Sequence, residues 1–206
     1  MLIQAQVGPA VSSTSLGAGT NPNLRLDNMG GLTVSQLNPR YYEETYRRQT
    51  YTIANQTGVT TSAALSTTYV GLCLANPTTS TINTVITKVG YAFTVAPAAT
   101  IAVGIMTGTV ATITTNLVTA RNRFVGGVGA QTLASTSLTI GTPVLETIIG
   151  SVATGAITTA PSGPSGFFDL EGSLILPPGA FAAFYTSTAS GASGFFGSFQ
   201  FVEVPL

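Results

Sequence analysis

Apolar and polar residues alternate in short runs over most of the chain after residue 50. An alternation with a period of two is typical of β-strands that turn one face toward a core. Clusters of Gly, Pro, Asn and Ser separate the runs and are typical of turns. We predict strands over the following ranges: 69–75, 84–93, 100–106, 109–115, 117–124, 142–150, 173–177, 180–186 and 195–204.

Two of these runs also predict which side chains share a face. In the first, 69–75, the apolar residues two apart are Val70, Leu72 and Leu74. In the second, 84–93, Lys88 lies opposite an apolar face made of Val85, Val89, Tyr91 and Phe93.

The stretch LILPPGAFAAFYT, residues 174–186, is predicted to be a hairpin. Pro178 and Gly179 suit the two central positions of a type II turn, because Pro presets φ and Gly tolerates positive φ. Pro177 has no N–H to donate and therefore suits the end of a strand.

Many short strands and almost no helical pattern predict an all-β sandwich, jelly roll or barrel. A jelly roll has eight strands and takes up roughly 150 residues, which fits residues 49–206. We therefore predict a jelly-roll-like antiparallel β-sandwich over 49–206. Residues 1–48 are predicted to form an extended N-terminal arm that contains a short helix.

The distribution of charge supports the division near residue 48. Seven of the fourteen charged residues lie between positions 25 and 48. The first half of the arm is rich in Gly, Ser, Asn and Pro and predicts no regular structure. Its last part, NPRYYEETYRR, predicts a helix of two or three turns, with Asn38 as N-cap and Pro39 in the first turn. Glu–Arg pairs four residues apart support that helix.

Tyrosine and arginine are interleaved around the predicted helix, and both residue types are enriched where interfaces concentrate binding energy. The alternative is that the helix only packs on its own domain. The predicted partner contacts are Arg40, Tyr41, Tyr42, Tyr46, Arg47 and Arg48.

Composition narrows the classes of partner. The 206 residues are 44% hydrophobic, with seven basic and seven acidic residues and a formal net charge of zero. Such a chain is not predicted to be disordered, and it has little charge to prevent self-association. It offers no basic field for nucleic acid and no polybasic patch for membranes. No transmembrane span and no signal peptide are predicted either.

Candidate chemistry is sparse, and we predict neither an enzyme nor a cofactor or metal site. The chain has no His, which excludes sites that depend on imidazole. Asp169 and Glu171 could form a carboxylate pair or a cation site with Glu146 or Glu203. Charge pairing with Arg121 or Arg123 is the favoured alternative.

Two further sequence features are candidates for chemistry, and neither is predicted to be a functional site. The single cysteine, Cys73, lies in the apolar string YVGLCLA and is predicted to be a small buried hydrophobe. Asn55-Gln56-Thr57 matches the N-glycosylation pattern, which carries little weight without a secretion signal.

Several segments together resemble a family of small virion proteins of tailed bacteriophages. The resemblance covers much of residues 69–205, and residues 1–48 lie outside it. Phe201 stands where that family often has Trp. The segments are GLCLANPTTSTINTVITKVGYAF at 71–93, APAATIAVGIMTG at 96–108, DLEGSLILPPGAFAAFYTSTASGASGFFGSF at 169–199 and EVP at 203–205.

The resemblance implies a jelly-roll protein that decorates and stabilises a phage capsid as a homotrimeric cement knob. Its partners would be its own copies and the major capsid protein. It would be made in the cytoplasm of a bacterial host and reside on the capsid exterior. The alternative is a head-fibre or tail-associated module that contacts host-surface glycans, through Tyr and Phe on loops such as GFFD (166–169) and GFF (194–196). A hydrolase that uses Asp169 and Glu171 is a third and least favoured hypothesis.

Overall fold

The computed structural model describes residues 5–6, 24–25, 40–109, 113, 117–154 and 166–206, with backbone only for the first two ranges. The chain divides into two compact units, Met1–Glu43 and Glu44–Leu206. In the first unit, β1 (Ala5–Gln6) and β2 (Leu24–Arg25) form a short parallel pair. Helix α1 (Tyr42–Tyr46) has five residues and is shorter than predicted. Asn38 and Pro39, its predicted start, lie outside the described residues.

The second unit is built from two packed sheets. The first is six-stranded, in the order β10-β6-β12-β4-β9-β7, and the second is five-stranded, in the order β11-β5-β13-β3-β8. The strands are β3 (Thr50–Ala54), β4 (Thr68–Ala75), β5 (Ile82–Phe93), β6 (Ile101–Thr109), β7 (Leu117–Val118), β8 (Arg121–Asn122), β9 (Leu133–Thr139), β10 (Val144–Val152), β11 (Gly166–Leu176), β12 (Ala180–Thr186) and β13 (Phe195–Pro205).

Eight of these strands pair as a jelly roll. Four antiparallel pairs are nested from the outside inward: β3 with β13, β4 with β12, β5 with β11, and β6 with β10. Two further pairs, β13 with β5 and β12 with β6, join the nested pairs into two four-stranded sheets. This is the pattern of one long hairpin rolled across two sheets. The predicted all-β sandwich is therefore confirmed. Strands β7, β8 and β9 are inserted between β6 and β10 and extend both sheets.

The main core lies between the two sheets and is rich in aromatic rings. Phe184 of β12 contacts Phe199 and Phe195 of β13, with ring centroids 4.8 and 5.4 Å apart. Tyr51 of β3 stacks on Phe201 at 5.6 Å. These side chains are almost fully buried, and each contributes a large apolar area to the core.

A second apolar cluster lies on the outer face of the six-stranded sheet. Phe181 and Ala183 belong to it, whereas Ala182 and Phe184 belong to the main core, because alternate residues of a strand point to opposite faces. Ile113 and Ile140, from the connection between β6 and β10, are also part of this cluster. Strand β12 is therefore buried on both faces, which explains why AFAAFYT is apolar without alternation.

The predicted hairpin at 174–186 is wrong, although its turn is correct. Ala180 N–H donates to the Pro177 carbonyl at 3.0 Å, and Gly179 has φ 87°, as position i+2 of a type II turn requires. However, β11 pairs with β5 and β12 pairs with β4 and β6. The turn is thus a corner that leads the chain from one sheet to the other. The buried Asn76 side chain supports it by donating to the Leu176 carbonyl at 3.0 Å.

The predicted faces of two strands are partly wrong because bulges interrupt the alternation. In β5, Lys88 lies opposite Gln200 but Ile86 lies opposite Phe201, so Thr87 is an extra residue. Ile86 consequently joins the core in place of Val85. In β4 the register shifts between Val70 and Cys73, and Val70 lies outside both clusters.

The other predicted strands agree with the observed strands to different extents. Those at 100–106, 142–150, 173–177, 180–186 and 195–204 fall on observed strands. The run at 117–124 is broken into β7 and β8, and most of the run at 109–115 lies outside the described residues. Strand β9 was not predicted, because LASTSLT contains too few large apolar residues to show the alternation.

Candidate functional site

The six predicted contact residues follow the chain through and around α1. In the first unit, the Arg40 guanidinium lies over the Tyr41 ring, 5.2 Å from its centroid, and Tyr42 is exposed. In the second unit, Tyr46 and Arg47 are exposed. Exposed Tyr and Arg are residue types suited to an interface, so their predicted role in partner contact stays a prediction.

Arg48 has a structural role within its own domain. Its φ of 63° and the bond from its N–H to the Thr45 carbonyl, at 2.9 Å, end the helix. Its carbonyl accepts a hydrogen bond from the Asn122 side chain at 2.7 Å, and its guanidinium lies over the Phe124 ring at 5.0 Å. Arg48 therefore contacts its own domain, as the alternative interpretation expects, and its role in partner contact stays a prediction.

The four candidate carboxylates lie on three strands and have separate partners. Asp169 pairs with Lys88, with 3.7 Å between the nearest oxygen and nitrogen. Glu203 is buried and accepts from the Thr132 backbone N–H at 2.8 Å, and Glu146 accepts from the Thr107 hydroxyl at 2.6 Å. Across the described part of the chain, no three His, Cys, Asp or Glu side chains come together to hold a metal.

Glu171 departs from the alternation on which the proposed carboxylate pair with Asp169 depended. Its φ is 52°, and its backbone N–H donates to Asp169 Oδ1 at 2.9 Å. The register between β11 and β5 shifts between Asp169 and Leu174, so Glu171 lies in an irregular part of β11. Asp169 therefore accepts a hydrogen bond from the local backbone and pairs with Lys88, and it is not used in the predicted carboxylate pair with Glu171.

Cys73 is fully buried in the second cluster, as predicted. Burial raises the pKa of its thiol. Burial also raises the pKa of neighbouring Tyr69 well above its ordinary value, and the proximity of the ionisable Cys73 adds to that rise. The Tyr69 hydroxyl donates a hydrogen bond to the Phe184 carbonyl at 2.9 Å. Because both pKa values are raised, both side chains are neutral and serve as structural groups. A buried, protonated thiol is also inert as a nucleophile.

The raised pKa values of Cys73 and Tyr69 predict that the free energy of unfolding falls at alkaline pH. Below pH 9.0, the ordinary pKa of Cys, both the folded and the unfolded chain keep the Cys73 proton. Above it, only the unfolded chain releases that proton, so the free energy of unfolding falls by about 1.4 kcal/mol per pH unit. Tyr69 adds a similar slope above pH 10.0. Urea denaturation from neutral to alkaline pH measures this decline, and the Cys73→Ala variant should lack its first part. An identical slope in that variant would contradict the assignment.

Asn55 is used inside the fold and not as a glycosylation site. It is 3% exposed, and its Nδ2 donates to the carbonyls of Thr57 at 2.7 Å and Phe195 at 2.9 Å. Its Oδ1 accepts from the Gly197 backbone N–H. The glycosylation pattern is therefore coincidental, because the amide nitrogen that would carry a sugar is buried.

A groove of about 440 Å³ lies on the outer face of the five-stranded sheet. Its central row crosses four strands, since Phe167 is paired with Gly90, Gly90 with Ser198 and Ser198 with Ala54. Phe196, the neighbour of Ala92, borders the same groove. We call these residues the outer groove: Ala54, Gly90, Ala92, Phe167, Phe196 and Ser198.

The outer groove brings together both Phe-containing segments that the sequence suggested for sugar contact. The GFFD segment contributes Phe167, which is 78% exposed, and the GFF segment contributes Phe196. Both lie on strands, β11 and β13, and not on loops as predicted. The small residues between them were missed, because Gly90 and Ala54 show their role only when four strands are aligned.

A second surface feature is the edge strand β10. It ends the six-stranded sheet, and its residues Val144, Leu145 and Ile148 are 59%, 37% and 49% exposed. Leu145 and Ile148 reach over Gly104 of the neighbouring β6. Two bulges interrupt the strand, between Leu145 and Thr147 and between Ile148 and Gly150. An exposed edge with apolar side chains is typical of an association surface.

The strand order defines a jelly-roll β-sandwich protein. No helix in the described ranges is long and apolar enough to cross a membrane. Comparisons with protein-family models, with curated proteins and with solved structures find no match to this chain. Jelly rolls occur in viral capsid proteins, lectin domains and cupins, so the fold alone does not specify a function.

Proposed function

We propose that the protein is a structural virion protein that decorates and stabilises a bacteriophage capsid as a homo-oligomer, most simply a trimer. The observation that carries the proposal is the apolar edge strand β10. The jelly-roll fold and the sequence resemblance to virion proteins of tailed phages support it. Its sites are association surfaces, and no catalytic residue or cofactor is proposed.

The charge balance favours association of identical copies. With seven acidic and seven basic residues and no net charge, two copies do not repel one another at long range. Val144, Leu145 and Ile148 lose contact with water when a neighbouring copy covers β10. Each side chain of this kind contributes up to about 1.5–3 kcal/mol when it becomes fully buried.

The bulges in β10 bear on the geometry of association. They interrupt the regular row of N–H and C=O groups that another strand would need for pairing. We therefore propose that copies meet through side chains and not by extending the sheet. Such a contact can join β10 of one copy to a different surface of the next. A heterologous contact of this kind closes into a ring when the rotation that relates the copies is one third of a turn for a trimer.

Attachment to the capsid is assigned to the segment around α1. Tyr42, Tyr46 and Arg47 are exposed in the described structure, and these residue types suit an interface. Arg40 and Tyr41 are also proposed as individual partner contacts, whereas Arg48 positions the end of the helix. The major capsid protein is the proposed partner.

The β10 surface predicts an oligomer that a charge can disrupt. We expect mass photometry of the full chain to give three times the 21.0 kDa chain mass. The double variant Val144→Lys/Ile148→Lys should shift the population to monomers, because an edge lysine must be desolvated on association. The folded state should survive, since both side chains are about half exposed.

The matched control is Val125→Lys, because Val125 is 93% exposed and lies in the connection between β8 and β9. It should remain oligomeric. The wild-type protein should also bind capsids stripped of accessory proteins at a fixed ratio and raise their rupture temperature. A monomeric wild-type chain, or a trimer unaffected by the two lysines, would contradict the proposed role of β10.

A further inference from the structure

The outer groove combines an exposed ring, that of Phe167, with a floor of small residues in which Gly90 has no side chain. A Cβ atom on Gly90 would lie 2.9 Å from the Phe167 ring and 2.8 Å from Ser198 Oγ. Only glycine therefore keeps the space between these two side chains open. Phe167 is 78% exposed, so most of its ring area is available for contact.

Polar groups lie at one side of this apolar surface. A neighbouring row of polar residues lies two positions farther along the same strands. It consists of Asp169, Lys88 and Gln200. Residues two apart on a strand are about 6.6 Å apart, so this row lies beside the ring and not beneath it. Within the groove, the Ser198 hydroxyl donates to the Gly90 carbonyl at 3.3 Å, which leaves its oxygen able to accept a hydrogen bond.

We propose that the outer groove binds a neutral saccharide. A pyranose ring has an apolar C–H face, which fits the Phe167 ring, and hydroxyl groups at its rim, which fit Ser198 and the polar row. The ligand is expected to be uncharged, because Lys88 and Asp169 neutralise each other at 3.7 Å. This binding site is additional to the capsid role and does not depend on the oligomeric state.

The test uses the full-length protein and saturation-transfer NMR with glucose, galactose, N-acetylglucosamine, maltose and lactose as probes. We expect saturable binding of at least one of them to the wild type. Phe167→Ala should weaken that binding about tenfold or more, through loss of ring contact. Ser198→Ala should weaken it less, because the hydroxyl supplies one hydrogen bond. An immobilised bacterial surface polysaccharide distinguishes a polymer ligand from a free sugar.

The matched control is Phe124→Ala, which removes a partly exposed Phe outside the outer groove and should leave binding unchanged. Phe167→Ala should melt like the wild type, because its ring is exposed. Absence of binding to all probes, or binding that survives Phe167→Ala, would overturn the proposal. If Phe167→Ala instead reduces oligomer or capsid attachment with no sugar bound, the outer groove is a protein interface and the proposal is also overturned.

Discussion

Replacing Phe199 by alanine is expected to lower the free energy of unfolding by about 3–5 kcal/mol, the range for large-to-small changes at buried Phe. Phe199 is 1% exposed and lies on β13, which pairs with both β5 and β3. Its ring contacts Phe184 of the opposite sheet at 4.8 Å. The variant therefore leaves a cavity where the two sheets meet, and rigid strands on both sides limit its collapse.

Urea denaturation at fixed protein concentration measures this loss, because an oligomer makes apparent stability depend on concentration. Phe199→Leu should cost less, since it retains most of the apolar volume. Phe124→Ala is the control for a more exposed ring and should change stability by about 1 kcal/mol or less. A loss below about 1 kcal/mol for Phe199→Ala would contradict the position given to this ring.

The second large effect is expected for Asn55→Ala, which should destabilise the protein by about 2–4 kcal/mol. The buried side chain makes three hydrogen bonds, to Thr57, Phe195 and Gly197. Alanine leaves the buried Phe195 carbonyl and Gly197 N–H, and the part-buried Thr57 carbonyl, without that partner. These bonds join the end of β3 to β13, so both the strand end and the following loop should loosen.

Hydrogen exchange and urea denaturation together test the role of Asn55. Gln56→Ala is the neighbouring control, because Gln56 is exposed and makes one bond, to the Ala54 carbonyl at 3.0 Å. Asn55→Asp should be at least as harmful as alanine, since it places a carboxylate against two carbonyl oxygens. Wild-type stability in Asn55→Ala would show that water replaces the side chain and would refute the assignment.

The β10 surface and the outer groove lie on different sheets and can be tested separately. Strand β10 is at the edge of the six-stranded sheet, and the outer groove is on the five-stranded sheet. The double variant Val144→Lys/Ile148→Lys should change the mass of the oligomer and leave sugar binding intact. Removal of the Phe167 ring should have the reverse effect. Each proposal can therefore fail without the other.

Much of the secondary structure could be predicted from the sequence alone. The range 180–186 matches β12 at both ends, and 195–204 differs from β13 by one residue. These strands were recognisable because Pro, Gly and Ser clusters limit them locally. The type II turn at Pro178-Gly179 was predictable for the same reason, since φ preferences belong to the residues themselves. Burial of Cys73 followed from its apolar neighbours.

Only the tertiary structure decided which strands pair and which faces are buried. Thr87 is an extra residue in β5 relative to β13, so the residues before it turn the opposite face toward the core from the one that alternation predicts. No local sequence pattern encodes that bulge. The corner at Pro178 could not be distinguished from a hairpin, because the same turn serves both. The outer groove unites Ala54, Gly90, Phe167 and Ser198, which lie far apart along the chain. Alternation and turn preferences act over a few residues, whereas pairing between distant strands depends on the packing of the whole sandwich.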